Sequence, residues 1–261
     1  MKIYVMVDLE GVSGVYARAQ VLPDEPRFAE GRRYMTLDIN SCVAGLADSG
    51  VKEIVVHDCH GGSYTALWDE LDPRAEYIQG ETPDRMPFLK GSDGLILLGY
   101  HAMAGTPNAV LEHTMSSVGW QNFWLNGRKS GELAIDAGIA GDYGVPTIMA
   151  SGCDKLCAEA RELIPGILTA QVKTALSIYG ARLLPAARAH GLIRETAAAA
   201  ARKCAGIEPF RPARPVVMRL ERVSRGTPPH AGTRPWMKVL DARTHEVTGD
   251  TVEEAYYRLT R

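Results

Sequence analysis

Hydrophobic and polar positions along the chain switch between a strand pattern and a helix pattern, and the switching predicts an α/β fold. Residues 2–7 (KIYVMV) make a short apolar run, the mark of a buried strand. From 28 to 49 the apolar residues Met35, Ile39, Val43 and Leu46 recur at helical spacing, and Gly50 supplies a stop signal. Buried strands are predicted again at 53–57 (EIVVH) and 93–99 (DGLILLG), then a helix at 132–141, a strand at 145–150 and a helix at 154–163. This alternation argues for a mainly parallel sheet flanked by helices. Further on the pattern loosens: a strand at 168–174, a long Ala-rich helix at 183–204 and a Pro- and Arg-rich stretch around a strand at 215–221. A strand at 238–242 and a helix at 251–259 close the chain. The expected organisation is a metal-binding α/β domain over 1–165 and a smaller α+β C-terminal domain over 166–261. The boundary is soft, and the second domain is expected to carry specificity and oligomer contacts.

Composition narrows the function classes. Hydrophobic residues at 46% and charged residues at 23% supply an ordinary core. The 29 Lys and Arg against 31 Asp and Glu leave a formal charge of -2, so no nucleic-acid partner is expected. No apolar run approaches the ~18 residues of a membrane span, and the N-terminal run stops at Asp8, too short for a signal peptide. Neither a membrane partner nor secretion is expected. Cys42, Cys59, Cys153, Cys157 and Cys204 are odd in number and contain no CxxC pair. They read as reduced thiols in a cytoplasmic protein.

Candidate chemistry gathers just past the carboxyl ends of the predicted strands, where open parallel sheets form their ligand crevices. Asp8 and Glu10, in VDLEGVSG at 7–14, lie two apart on extended chain and share one side. Two carboxylates so close repel unless a cation or a proton intervenes; the competing assignment is a helix N-cap. In HDCHGG at 57–62, His60 beside the glycine pair can reach a ligand, whereas His57 belongs to the apolar strand and suits a core role. His101 follows the third strand in GYHA at 99–102. Glu132 opens the helix after NGRKSG, where a role as helix-dipole partner competes. Asp8, Glu10, His60, His101 and Glu132 form an oxygen and nitrogen donor set that suits zinc, with manganese or cobalt as substitutes. Five ligands with one shared carboxylate match a bridged pair of ions, which can activate a bridging water as hydroxide and clamp an oxyanion. His113, in EHT at 112–114, remains to move protons or to stabilise a tetrahedral intermediate.

Competing motifs are weak. No GxSxG, GxGxxG, GxxxxGK[ST] or HExxH pattern occurs. A two-metal phosphoesterase would want basic residues near the ligands, and only Arg128 and Lys129 are close in sequence. A metal-independent amidase built on Cys153 has no histidine nearby in sequence. A non-enzymatic metal- or peptide-binding protein is a further alternative, which the unassigned His113 argues against.

Taken in order, VDLEGVSG, HDCHGG, GYHA, EHT and NG-x-x-x-GE at 126–132 resemble the motifs of the D-aminopeptidase family of metallopeptidases. The resemblance covers at least residues 3–155 and implies a zinc-dependent aminopeptidase acting on short peptides with an N-terminal D-residue such as D-Ala. It implies that Asp8 bridges two zinc ions per subunit, that Glu10 and His60 complete one site, and that His101 and Glu132 complete the other. His113 corresponds to the family's catalytic histidine. The resemblance further implies a homo-oligomer, a decamer of two stacked rings.

Overall fold

The protein is described from a computed structural model covering residues 1–226, 228, 232 and 234–261. The strands in chain order are β1 (Lys2–Val7), β2 (Glu53–Asp58), β3 (Glu76–Ile78), β4 (Gly94–Leu98), β5 (Trp120–Leu125), β6 (Arg128–Lys129), β7 (Thr147–Cys153), β8 (Leu168–Ser177), β9 (Gly180–Leu183), β10 (Val216–Arg222), β11 (Met237–Val239) and β12 (Thr244–Gly249). The helices are α1 (Phe28–Asp48), α2 (Glu132–Asp142), α3 (Asp154–Leu163), α4 (Ala186–Lys203) and α5 (Val252–Thr260).

A seven-stranded sheet in the order β3-β2-β1-β4-β7-β8-β9 organises the molecule. Every pairing in it is parallel except β8 with β9. The apolar runs of β1 and β4 are buried throughout because helices cover both faces. From β1 the chain winds outward to β2 and β3, then returns to β4 and winds the other way. β1 and β4 therefore flank the point where strand order reverses, and a crevice opens there at the carboxyl ends. A second, antiparallel sheet runs β11-β12-β10-β5-β6. It joins the segment between β4 and α2 to residues 216–249, while β8, β9 and α4 belong to the main sheet and its flanking layer, α4 packing on α1.

Where the crevice forms, the strand ends must approach closely. A Cβ on Gly11 would stand 1.8 Å from the Tyr100 carbonyl oxygen. Gly99 has φ +70°, and a Cβ there would meet the Asp8 carbonyl at 2.3 Å. Only glycine permits the loops after β1 and β4 to close on each other in this way.

Candidate metal centre

Three loops and one helix N-terminus deliver the polar side chains into the crevice. Asp8 and Glu10 follow β1, His60 follows β2, His101 follows β4, and Glu132 is the first residue of α2. Asp8, Glu10, His101 and Glu132 are buried, and His60 is half-buried. All five sequence-predicted ligands converge, together with His113 from the loop at 111–115. They form two clusters, Asp8–Glu10–His60 and His101–His113–Glu132, in each of which one donor atom per residue lies within 4.8 Å of the others. Asp8 joins them: its Oδ2 is 3.2 Å from His101 Nε2, which is also 3.3 Å from Glu132 Oε1. On the other side His60 Nε2 stands 3.4 Å from Glu10 Oε1.

The surrounding hydrogen bonds aim these donors inward. His101 Nδ1 donates to the Ala102 carbonyl at 3.1 Å and His113 Nδ1 to the Leu111 carbonyl at 3.0 Å, so in each ring Nε2 is the atom turned to the site, able to take a cation or a proton. His60 Nδ1 pairs with Thr65 Oγ1 at 3.2 Å. Asp58 folds that turn by accepting from the Thr65 and Ala66 amides at 2.6 and 2.9 Å. Glu132 Oε1 accepts from the Met115 amide at 2.6 Å. The loop supplying this amide holds Leu111 and Met115 at φ +53° and +58°. Left-handed backbone at bulky residues is costly and persists where the surroundings impose it. Within that loop the His113 ring stacks on His101, centroids 3.9 Å apart.

Charge and burial also point to a cation. Glu10 Oε2 and His101 Nε2 are buried without a hydrogen bond, an arrangement that is rare unless an ion or water completes it. Burial opposes charge on the His60 imidazole, but the neighbouring Glu10, Asp8 and Asp58 carboxylates prevail and push it up to about 9. His101 is likewise driven up against its burial by Glu132 and Asp8. Burial works against ionisation of Glu10 and Glu132 too, yet the facing histidines hold both below the usual carboxylate range. The donor set is therefore a fit for cations with nitrogen and oxygen preference.

Other candidate groups sit elsewhere. His57 is buried in β2 and pairs through Nδ1 with the Tyr4 hydroxyl at 3.1 Å. Cys59 Sγ donates to the Val7 carbonyl, burial pushes its thiol far up, and it belongs to neither cluster. Cys153 is buried at the end of β7 and belongs to neither cluster.

One residue that sequence reasoning missed is Lys173 on β8, fully buried beneath the loop after β1. Its Nζ donates to the carbonyls of Glu10, Val12 and Val15 at 2.6, 3.0 and 2.6 Å. Burial lowers its ammonium to about 8, against nearby anionic groups that support the charge. From the opposite side Asp38 on α1 accepts from Ser13 N and Ser13 Oγ at 2.8 and 2.6 Å. The ligand-bearing loop is thus pinned by a cation on its carbonyls and a carboxyl on its N–H and hydroxyl. A lysine inside a strand pattern carries no local signal of this, because its acceptors are about 160 residues away.

A cavity of about 350 Å³ opens beside the centre. Glu10 and His113 border it, with Arg18, Leu111, Glu112 and Trp120, and with Ile178, Tyr179 and Val223 from the C-terminal part of the chain.

A parallel sheet with paired oxygen and nitrogen donor clusters at its switch point, next to a cavity of ligand size, defines a metal-dependent hydrolase. The family model for D-aminopeptidase matches residues 1–260. A D-aminopeptidase of Bacillus subtilis (strain 168) is 35% identical over 250 residues, covering 94% of this chain and 89% of the relative. The solved structure of the Zn-dependent D-aminopeptidase DppA from Bacillus subtilis, described as a self-compartmentalizing protease, superposes with a TM-score of 0.92. It is 33% identical and covers 100% of this chain and 96% of that one. The chain belongs to the D-aminopeptidase family, and the enzyme is a metallo-aminopeptidase.

Proposed function

We propose that the enzyme removes N-terminal residues, D-alanine among them, from short peptides at a centre of two zinc ions per chain. The observation that carries this reading is the position of Asp8 between the two donor clusters. Asp8, Glu10 and His60 would hold one ion and Asp8, His101 and Glu132 the other, with manganese or cobalt as substitutes. When bound there, the ions supply Lewis acidity for activating water and polarising the scissile carbonyl.

His113 is the catalytic residue in this reading. Its geometry also allows it to be a ligand, since its Nε2 is 3.6 Å from Glu132 Oε1. Three features favour catalysis. Asp8 already completes the second donor set; the His113 side chain is 16% exposed against 1% for His101; and His113 lines the cavity. With Nδ1 fixed on the Leu111 carbonyl, Nε2 can accept a proton from the attacking water and, once protonated, hydrogen-bond the tetrahedral adduct and pass that proton to the leaving amine.

A phosphoesterase would face the ester with cations, but the cavity lining sets one arginine against Glu10 and Glu112. Ile178, Tyr179 and Val223 support a specificity role for the 166–261 region. We read the assembly as a decamer of two stacked rings; a homo-oligomer is supported by the self-compartmentalizing relative and by the exposed Val118, Leu176 and Tyr179. The five free cysteines support a cytoplasmic setting.

The test is hydrolysis of the D-Ala and L-Ala p-nitroanilides before chelation, after chelation and after zinc return. The expected result is D-Ala release that stops with chelator and returns with zinc. Activity that survives chelation and dies with thiol alkylation would replace this reading with the Cys153 amidase.

A further inference from the structure

Arg18 lines the cavity beside the metal centre and is the only Lys or Arg among the described residues that do so. Its side chain is exposed, and no hydrogen bond or ion pair to its guanidinium is found among the described residues. The backbone beneath it is held firmly. Gln20, fully buried, accepts from the Tyr16 and Ala17 amides at 3.0 and 3.1 Å and donates to the Gly14 carbonyl at 3.1 Å. Lys173 adds its hydrogen bond to the Val15 carbonyl. This is the same pinned loop that carries Asp8 and Glu10, so the base of the Arg18 side chain keeps a set distance from the centre.

A cavity of about 350 Å³ is near the lower end of the range for small-molecule sites and accommodates a peptide of only a few residues. Any such peptide brings one obligate anion, its terminal carboxylate. An arginine fork pairs with a carboxylate through two parallel hydrogen bonds, and an unpaired arginine gives up no existing partner to do so. We propose that Arg18 is a specificity residue that binds the C-terminal carboxylate of the substrate while the amino end lies at the metal centre. The enzyme then selects di- and tripeptides with a free carboxylate over amidated or longer chains. This assignment rests on the aminopeptidase reading above.

The test compares kcat/KM for D-alanyl-D-alanine and its C-terminal amide on the zinc-loaded enzyme, as wild type, Arg18→Gln and Arg18→Lys. The wild type is expected to prefer the free acid by roughly tenfold or more, mostly through KM, as a charge-assisted pair implies. Arg18→Gln should bring the ratio to within about twofold of unity, and Arg18→Lys should leave an intermediate ratio. Both substrates meet the same active fraction, so partial misfolding of a variant does not move the ratio. Equal use of acid and amide by the wild type, or a preference retained in Arg18→Gln, overturns the assignment. If the zinc-loaded wild type cleaves neither peptide nor the D-Ala p-nitroanilide, the aminopeptidase reading itself falls and takes this assignment with it. Cleavage of the anilide and of neither peptide overturns the Arg18 assignment and the short-peptide substrate with it, while the aminopeptidase chemistry stands.

Discussion

The two oxygens of Asp8 are engaged differently: Oδ1 accepts from the Leu9 amide at 2.9 Å, while Oδ2 faces His101 across the gap between the clusters. Single residues thus set the charge pattern of the centre, and with it a pH dependence. In the metal-free protein His60 is raised to about 9 and Glu10 is lowered. The raised histidine contributes stability that is complete below its unfolded value near ~6.5 and is lost as pH rises through about 9. The lowered glutamate contributes above its unfolded value near ~4.3 and loses that contribution in acid. Thermal melts of the metal-free protein should therefore be most stabilised by this pair between roughly pH 4.5 and 6.5 and weaken toward pH 9–10. A melt that rises steadily from pH 7 to 10 contradicts this. Zinc must displace the same protons, so its binding should release protons and tighten with pH up to about 9. Calorimetry in buffers of different ionisation enthalpy reads that release, and an equal heat in all of them denies it. His113→Ala should lose at least about 100-fold in kcat while metal content stays at two ions per chain. Loss of one ion would make His113 a ligand instead.

At the level of elements, the centre depends on how β1, β4 and α2 are held together. Asp136, one turn beyond Glu132 on α2, is fully buried and receives Arg85 Nε and Nη2 at 3.0 and 2.9 Å and the Tyr100 hydroxyl at 2.7 Å. Changing one partner of a buried ion pair leaves an uncompensated charge, so Asp136→Asn should cost about 3–5 kcal/mol and be visible in denaturant titration. Lys173→Met strands three carbonyl oxygens and should cost about 2–4 kcal/mol. It should also weaken zinc binding, and unchanged zinc affinity in that variant would deny its hold on the ligand loop. The elements carrying the proposed ligands were legible in the chain because β1, β2 and β4 are short apolar runs with charged or imidazole groups at or just past their ends. β5 (WQNFWL) and β12 (THEVTG) were not, since both mix buried with partly exposed positions and carry polar residues within an antiparallel sheet. The short edge strands β3, β6 and β9 gave no pattern either. The side chains that the structure brings together in the two clusters could be picked out of the sequence because each sits within a few residues of a strand end or opens a helix. Lys173, Asp38 and Asp136 act across long sequence separations, which no local pattern encodes.

Across the whole molecule, the proposed ligands and His113 come from residues 8–132, while Ile178, Tyr179 and Val223 also line the cavity, which is why the C-terminal region is proposed to shape specificity. Exposed apolar residues near that wall, among them Val118, Ile178 and Tyr179, are expected to be covered in an assembly. Sedimentation should find a discrete oligomer, and a 28.4 kDa monomer at micromolar concentration would refute the ring proposal. The proposed chemistry depends on two ions sharing Asp8. The most direct test titrates zinc into chelated enzyme while following D-Ala p-nitroanilide hydrolysis, for wild type and Asp8→Ala. Wild-type activity should climb to a break at two zinc ions per chain, and Asp8→Ala should bind neither ion tightly and stay inactive. A wild-type break at one ion per chain, or an Asp8→Ala variant that retains tight zinc and turnover, would contradict it.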